Sequence, residues 1–233
     1  SSTKTDAELT SANVLATMRR VADWQLANPS RHKTTDWTHG ALYAGMMALA
    51  GITEDPKYAE AMARVGETNQ WKLGARKFHG DDHCVGQTYC ELFFRTRDPK
   101  MIRPMREQFD DILANPSQVK SMDFSQPYKS VTELWSWCDV LFMAPPAWVR
   151  LWKATDDARY LDFAVTNWWR TTDYLYDKEE HLYFRDSSYF AKREANGKKV
   201  FWSRGNGWVM GGFVRVLQFL PKDHPQRSRF VQQ

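Results

Sequence analysis

Apolar runs along this chain alternate with short polar turns of one recurring kind. Gly51-Ile52-Thr53-Glu54-Asp55-Pro56-Lys57-Tyr58 is echoed by Arg95-Thr96-Arg97-Asp98-Pro99-Lys100-Met101 and by Ala154-Thr155-Asp156-Asp157-Ala158-Arg159-Tyr160. Pro221-Lys222-Asp223-His224-Pro225-Gln226 is a looser echo. In the first two copies an Asp can cap a helix whose first residue is Pro, where the missing N–H costs nothing; the third has the Asp alone. Each turn therefore ends one helix and starts another. The spacing between these aspartates, from about 40 to about 65 residues, is that of two-helix repeats carrying loops of variable length.

The two helices of a unit differ in kind. Residues 39–50 are small or apolar nearly all round, as in a helix enclosed by others. Asp157–Trp169 is one-sided: Leu161, Ala164, Val165, Trp168 and Trp169 follow helical spacing, while Arg159, Asp162 and Thr166 face water. Inner helices alternating with outer ones make an all-α fold, an (α/α) toroid of helical hairpins. Three long loops, 74–82, 115–133 and 177–203, precede inner-type runs and so gather at one end, where the site is expected. Within 181–202, His181-Leu182-Tyr183-Phe184-Arg185 and Lys198-Lys199-Val200-Phe201-Trp202 read as a short β-hairpin.

Composition narrows the function. With 42% hydrophobic and 26% charged residues, the chain can bury a substantial core and reads as one soluble globular domain, residues 1–233. Its net charge of +4 arises from interleaved side chains with no basic block to track a phosphate backbone, which argues against nucleic acid. No apolar stretch is long enough to span a membrane, and the N-terminus lacks both an initiator Met and a signal-peptide core, so it reads as a mature or trimmed end. Cys84, Cys90 and Cys138 form neither a CxxC pair nor an even disulfide set and read as small buried apolar residues.

The candidate chemistry lies where loops meet inner helices. Trp202-Ser203-Arg204-Gly205-Asn206-Gly207-Trp208 sets a cation and two indoles among glycines, which suits a flat, anionic, partly apolar ligand such as a uronic acid. Asp139 stands between Trp137 and an apolar run, where desolvation raises a carboxyl toward the range of a general acid. Asp81 and Asp82 head the run from Cys84 to Phe94. Each of these carboxylates can equally serve as a helix cap or first-turn dipole partner. His79, Asp81, Asp82 and His83 can also be read as metal ligands, though no further histidine clusters with them.

Taken together, Asp81-Asp82-His83-Cys84-Val85-Gly86-Gln87, Trp137-Cys138-Asp139-Val140-Leu141-Phe142-Met143-Ala144-Pro145 and Phe201-Trp202-Ser203-Arg204-Gly205-Asn206-Gly207-Trp208 resemble the unsaturated rhamnogalacturonyl hydrolases, glycoside hydrolase family 105. The Asp-Pro-Lys turns and Trp37-Thr38-His39-Gly40 extend the likeness from about residue 15 to the end. The resemblance implies a six-hairpin toroid that removes a 4,5-unsaturated uronic acid from the non-reducing end of lyase-generated, pectin-type oligosaccharides. Hydration of the vinyl ether gives a hemiketal, whose collapse releases the next sugar. By similarity Asp139 protonates the double bond and assists water. Asp81, with Asp82 as its rival, is the second carboxylate. Trp37, His39, His83, Trp137, Arg185, Trp202, Arg204 and Trp208 take substrate-binding positions. No metal or organic cofactor is implied, and the compartment stays open between periplasm and cytoplasm of a bacterial-type cell.

Two departures stand out. Arg185 follows His181-Leu182-Tyr183-Phe184 where many members carry a substrate-contacting histidine, so preference is expected to differ. The family ring needs about twelve helices, and about eight or nine are found here, which predicts an open arc of about four hairpins and self-association through its apolar flank. Two other classes remain: a non-catalytic glycan-binding toroid, which has no need of a poised Asp139, and a toroidal sugar epimerase or isomerase, which needs paired histidines.

Overall fold

The computed structural model describes residues 9–233. Its helices are α1 (Ser11–Ala27), α2 (Trp37–Ile52), α3 (Lys57–Thr68), α4 (Gly80–His83), α5 (Gly86–Thr96), α6 (Arg103–Ala114), α7 (Tyr128–Val131), α8 (Val140–Met143), α9 (Pro145–Thr155), α10 (Ala158–Leu175), α11 (Ser203–Leu217) and α12 (Arg227–Gln232). Inner helices α2, α5, α9 and α11 stand side by side in that order, and the one-turn helices α4 and α8 lead into α5 and α9. Helices α1 and α3 back α2, α10 backs α9, and α12 backs α11. This is an α/α toroid architecture with four inner helices among the described residues.

The recurring turns work through their aspartates. Oδ1 of Asp55, Asp98 and Asp157 accepts the N–H two residues on, from Lys57 (3.0 Å), Lys100 (3.1 Å) and Arg159 (3.1 Å). The fourth turn uses a different group: Nδ1 of His224 accepts the N–H of Gln226 at 3.1 Å. On α10, Leu161, Ala164, Val165, Trp168 and Trp169 are buried and Arg159, Asp162 and Thr166 are exposed, so the helical stripe sets its orientation. Phe109 of α6 stacks on Trp148 of α9 with ring centroids 3.7 Å apart, fixing that outer helix to the inner layer.

The inner helices also share a buried polar core. Glu91 Oε1 accepts from Arg150 Nε (2.8 Å) and from Arg215 Nη2 (2.7 Å), which ties α5 to α9 and α11. Arg150, 1% exposed, also donates to the Arg215 carbonyl and to Gln218 Oε1. Gln87 accepts from Arg215 Nε at 2.6 Å and donates to the carbonyls of Phe142 and Met143. Buried charges are tolerated when they are paired and their remaining donors are satisfied, and both conditions hold here. Helix α11 approaches this region closely: a Cβ on Gly212 would lie 2.4 Å from the Leu141 carbonyl oxygen.

The β-hairpin differs from the expected pairing. β1 (Tyr176–Asp177), running straight on from α10, pairs antiparallel with β2 (Leu182–Tyr183), while the 193–199 segment makes a single bridge, Arg193 to Lys199. The reason is local: His181 takes a left-handed conformation, φ 56°, and closes the chain back within one short turn. Asn206 then occupies the other edge of Tyr183, accepting its N–H at 2.8 Å and donating to its carbonyl at 3.0 Å. The later segment approaches through side chains, with Phe184 stacked on Phe201 and Lys199 paired to Asp177 at 2.7 Å. All three cysteines are buried and unbridged, and among the described residues no helix is long and apolar enough to cross a membrane.

Candidate active site

The N-terminal ends of the inner helices converge. Ala44, Cys84, Phe142 and Met143 form a small apolar cluster with Trp37, Ala41 and Trp208 against it. Above it stand two carboxyls. Asp139 occupies the position of an N-cap to α8 but makes no side-chain cap bond. Asp81 lies in the first turn of α4, and its Oδ1 is buried without a hydrogen-bond partner. Neither is spent as a cap, which leaves both available for chemistry.

Both carboxyls titrate well above the ordinary aspartate range. Burial is the main cause of raising Asp81 to about 7, and the charge of Asp139 adds to it. Burial likewise raises Asp139 to about 6, opposed by its own backbone N–H and by the guanidinium charges of Arg185 and Arg204. Two carboxyls that feel each other do not ionise together readily, so one stays protonated near neutral pH. A protonated acid, a nearby carboxyl and two cations within electrostatic reach can transfer a proton while holding an anionic substrate.

Local folding accounts for this arrangement. Trp135 sits in the left-handed region, φ 57° and ψ 53°, an uncommon state for a bulky residue. It is held there by Thr171 Oγ1, which donates to the Trp135 carbonyl at 2.7 Å, and by burial of its ring. The chain thereby turns from the Thr132–Leu134 helical turn toward Asp139. The Cys138 N–H donates to the Arg185 carbonyl at 2.9 Å, bringing the hairpin loop beside the acid. Arg185 pairs with the fully buried Asp186 and lies over the rings of Tyr189 and Trp202, 5.8 and 5.9 Å from their centroids. Arg204 lies over Trp202 at 4.8 Å, exposed, with no carboxylate partner among the described residues. Trp208, one helical turn on, meets Trp37 edge-on at 6.1 Å and Phe142 at 4.8 Å.

The remaining candidates divide. Trp137 is buried, with its ring 4.8 Å from that of His79. Asp82 is committed elsewhere: its carboxylate takes the Arg76 guanidinium at 2.6 Å and the Arg76 backbone N–H at 2.7 Å. His83 is a core residue, its Nδ1 accepting from Trp148 Nε1 and its Nε2 contacting the Lys77 carbonyl. His39 stacks on Tyr43 and contacts the Lys33 carbonyl through Nδ1. These three hold the scaffold in place of lining the cleft. Of His79, Asp81, Asp82 and His83, the last two are thus engaged elsewhere, and among the described residues no group of three His, Cys, Asp or Glu side chains could hold a metal ion.

Sequence reasoning missed Tyr128 and His79 as neighbours of the carboxyls. The acidity of Tyr128 is weakened by burial and by the charges of Asp81 and Asp139. His79 Nδ1 accepts the Asp81 N–H at 3.3 Å and lies 3.8 Å from Asp81 Oδ2. Burial holds its imidazole neutral, at about 4. The His79-Gly80-Asp81 spacing was the available signal, since a side chain just before a helical turn can accept the N–H two residues on.

Relatives share this architecture. The chain is 32% identical over 97% of its length to an unsaturated 3S-rhamnoglycuronyl hydrolase of Alteromonas sp. (strain LOR), of which it covers 61%. It is 34% identical over 94% of its length to a protein of the same description from Formosa agariphila, of which it covers 60%. It thus spans about three-fifths of the length of these curated relatives. A solved glycosyl hydrolase family 88 structure from Bacteroides vulgatus superposes with a TM-score of 0.79 at 25% identity, over 96% of this chain and 66% of that one. The model of Glycosyl Hydrolase Family 88 matches residues 10–233, and the chain belongs to that family.

Proposed function

We propose that this protein is an unsaturated uronyl hydrolase acting on oligosaccharides that end in a 4,5-unsaturated uronic acid, with an unsaturated rhamnoglycuronyl unit, as in the names of its relatives, the substrate to try first. The observation that carries this reading is the pairing of two raised carboxyls, Asp81 and Asp139, with the unpartnered guanidinium of Arg204. Arg204 binds the uronate carboxylate, and Trp208 and Trp137 supply apolar surface to the ring. In its protonated form, which predominates below about pH 6, Asp139 gives its proton to C4 of the double bond, and water adds its oxygen at C5 as Asp139 takes back a proton. The hemiketal so formed collapses and releases the next sugar. Asp81 stays protonated longest and orients a ring hydroxyl or the water.

The test is direct. The enol ether conjugated to the carboxylate absorbs in the short-wavelength ultraviolet, and loss of that band reports hydration. Wild type should bleach a lyase-generated unsaturated disaccharide, and Asp139→Asn should lower kcat by about 10² to 10⁴ while leaving the fold intact. An Asp139→Asn variant that keeps more than about a tenth of the wild-type kcat would remove Asp139 from the proton-transfer role.

A further inference from the structure

Asn206 sits half-buried in the first turn of α11. Asn is a weaker helix former than Ala, so its place there has its reason outside the helix. Its side chain is fully engaged. Oδ1 accepts the Tyr183 N–H at 2.8 Å, and Nδ2 donates to the carbonyls of Tyr183 at 3.0 Å and Trp202 at 3.1 Å. β2 pairs with β1 along one edge, and on the other edge this single helical side chain takes both backbone groups of Tyr183, as a neighbouring strand would. Three groups of the cleft lie two residues from this joint. Arg204 precedes Asn206 and Trp208 follows it on α11, while Arg185 comes after Tyr183 on the continuation of β2. The Arg185 carbonyl in turn accepts the N–H of Cys138, the residue before Asp139. The two cations need such a joint. Both lie over the indole of Trp202, Arg185 at 5.9 Å and Arg204 at 4.8 Å from its centroid, and like charges gathered on one ring repel each other. A bound anion relieves that repulsion only while both guanidinium groups stay within its reach.

We infer that Asn206 is a positioning residue for recognition of the substrate carboxylate: by clamping Tyr183 to the first turn of α11 it sets Arg185 at a fixed separation from Arg204, so that both cations draw the uronate toward Asp139. The inference rests on the proposed hydrolase reading and adds to it the group that holds the two cations in register. Asn206 acts through Arg185, since its amide hydrogens and its oxygen are engaged within the protein.

Two ligands separate this role from a merely structural one: an unsaturated disaccharide, and the same molecule with its uronate carboxylate converted to the neutral amide. In Asn206→Ala, KM for the acid should rise about tenfold with kcat little changed. KM for the amide, or its inhibition constant if it is bound without turnover, should rise far less. Arg185→Ala should weaken binding of the acid in the wild-type background and have little further effect in Asn206→Ala, where the cation is already out of register. Asn206→Gln keeps the donors and the acceptor one methylene further out. It should recover part of the affinity for the acid, and it carries the same comparison if Asn206→Ala does not fold. Equal losses on acid and amide in the folded variants, or a full Arg185→Ala effect persisting in Asn206→Ala, would overturn the positioning role and leave Asn206 as a fastener of the hairpin. A wild type that turns over no unsaturated disaccharide would instead overturn the hydrolase reading and take this role with it.

Discussion

At Asp81, the burial that keeps the carboxyl protonated makes its ionised form a cost to the fold. Its folded pKa, about 7, lies above its ordinary 3.8, so the folded state binds the proton more tightly than the unfolded chain. The stability contributed by this group is whole below about pH 4 and is lost as pH rises through about 7, at about 1.4 kcal/mol for each pH unit between those values. Asn cannot ionise. Asp81→Asn should therefore gain on wild type in urea midpoint between pH 4 and pH 8, and parallel curves across that window would show that Asp81 is not held protonated. The sequence carried part of this site. Asp139 and Arg204 were legible because each stands beside aromatic residues at the start of an apolar run. The division between Asp81 and Asp82 was not, because the Arg76 that claims Asp82 lies six residues away on an irregular loop, where no periodicity constrains partners.

Among the elements, α5, α9 and α11 depend on one carboxylate. Glu91 holds both Arg150 and Arg215, and Arg150 has no access to water. Removing that carboxylate leaves guanidinium charge buried and uncompensated, so Glu91→Ala should lose roughly 3–5 kcal/mol of unfolding free energy. Denaturant unfolding measures it, and a loss within about 0.5 kcal/mol, as for an ordinary surface change, would mean that water reaches the pair. Helices of this kind were readable from sequence where the pattern is local, as on α10 with its Asp157 cap and its stripe from Leu161 to Trp169. The strand pairing was not, because it turns on the left-handed state of His181 and on Asn206 reaching Tyr183 from 23 residues away. Neither leaves a mark in hydrophobic periodicity.

For the molecule as a whole, the first and the last described helical hairpins carry exposed apolar residues. Val21 and Trp24 of α1, Met210 and Val214 of α11 and Val231 of α12 are all exposed. Exposed apolar residues favour association where they form a patch, and the self-association expected from the sequence is a proposal that these residues support. The chain of residues 1–233 should show concentration-dependent association in sedimentation velocity, and Val214→Lys with Met210→Lys should weaken it. A monomer at every concentration would remove the proposal.

Gly205, next to Arg204, packs its backbone against Cys138, next to Asp139. A Cβ there would meet Trp202 Cε3 at 2.5 Å and Cys138 Sγ at 2.7 Å, and Cys138 is the residue before Asp139. The spacing of Arg204 from Asp139 is thus limited by the contact of a residue without a side chain on a cysteine sulfur. Gly205→Ala keeps both chemical groups yet widens that gap. On the proposed function the cleft should then misfit a uronide ring, with kcat falling more than stability does, and a variant with wild-type turnover would show that the cleft tolerates a wider setting.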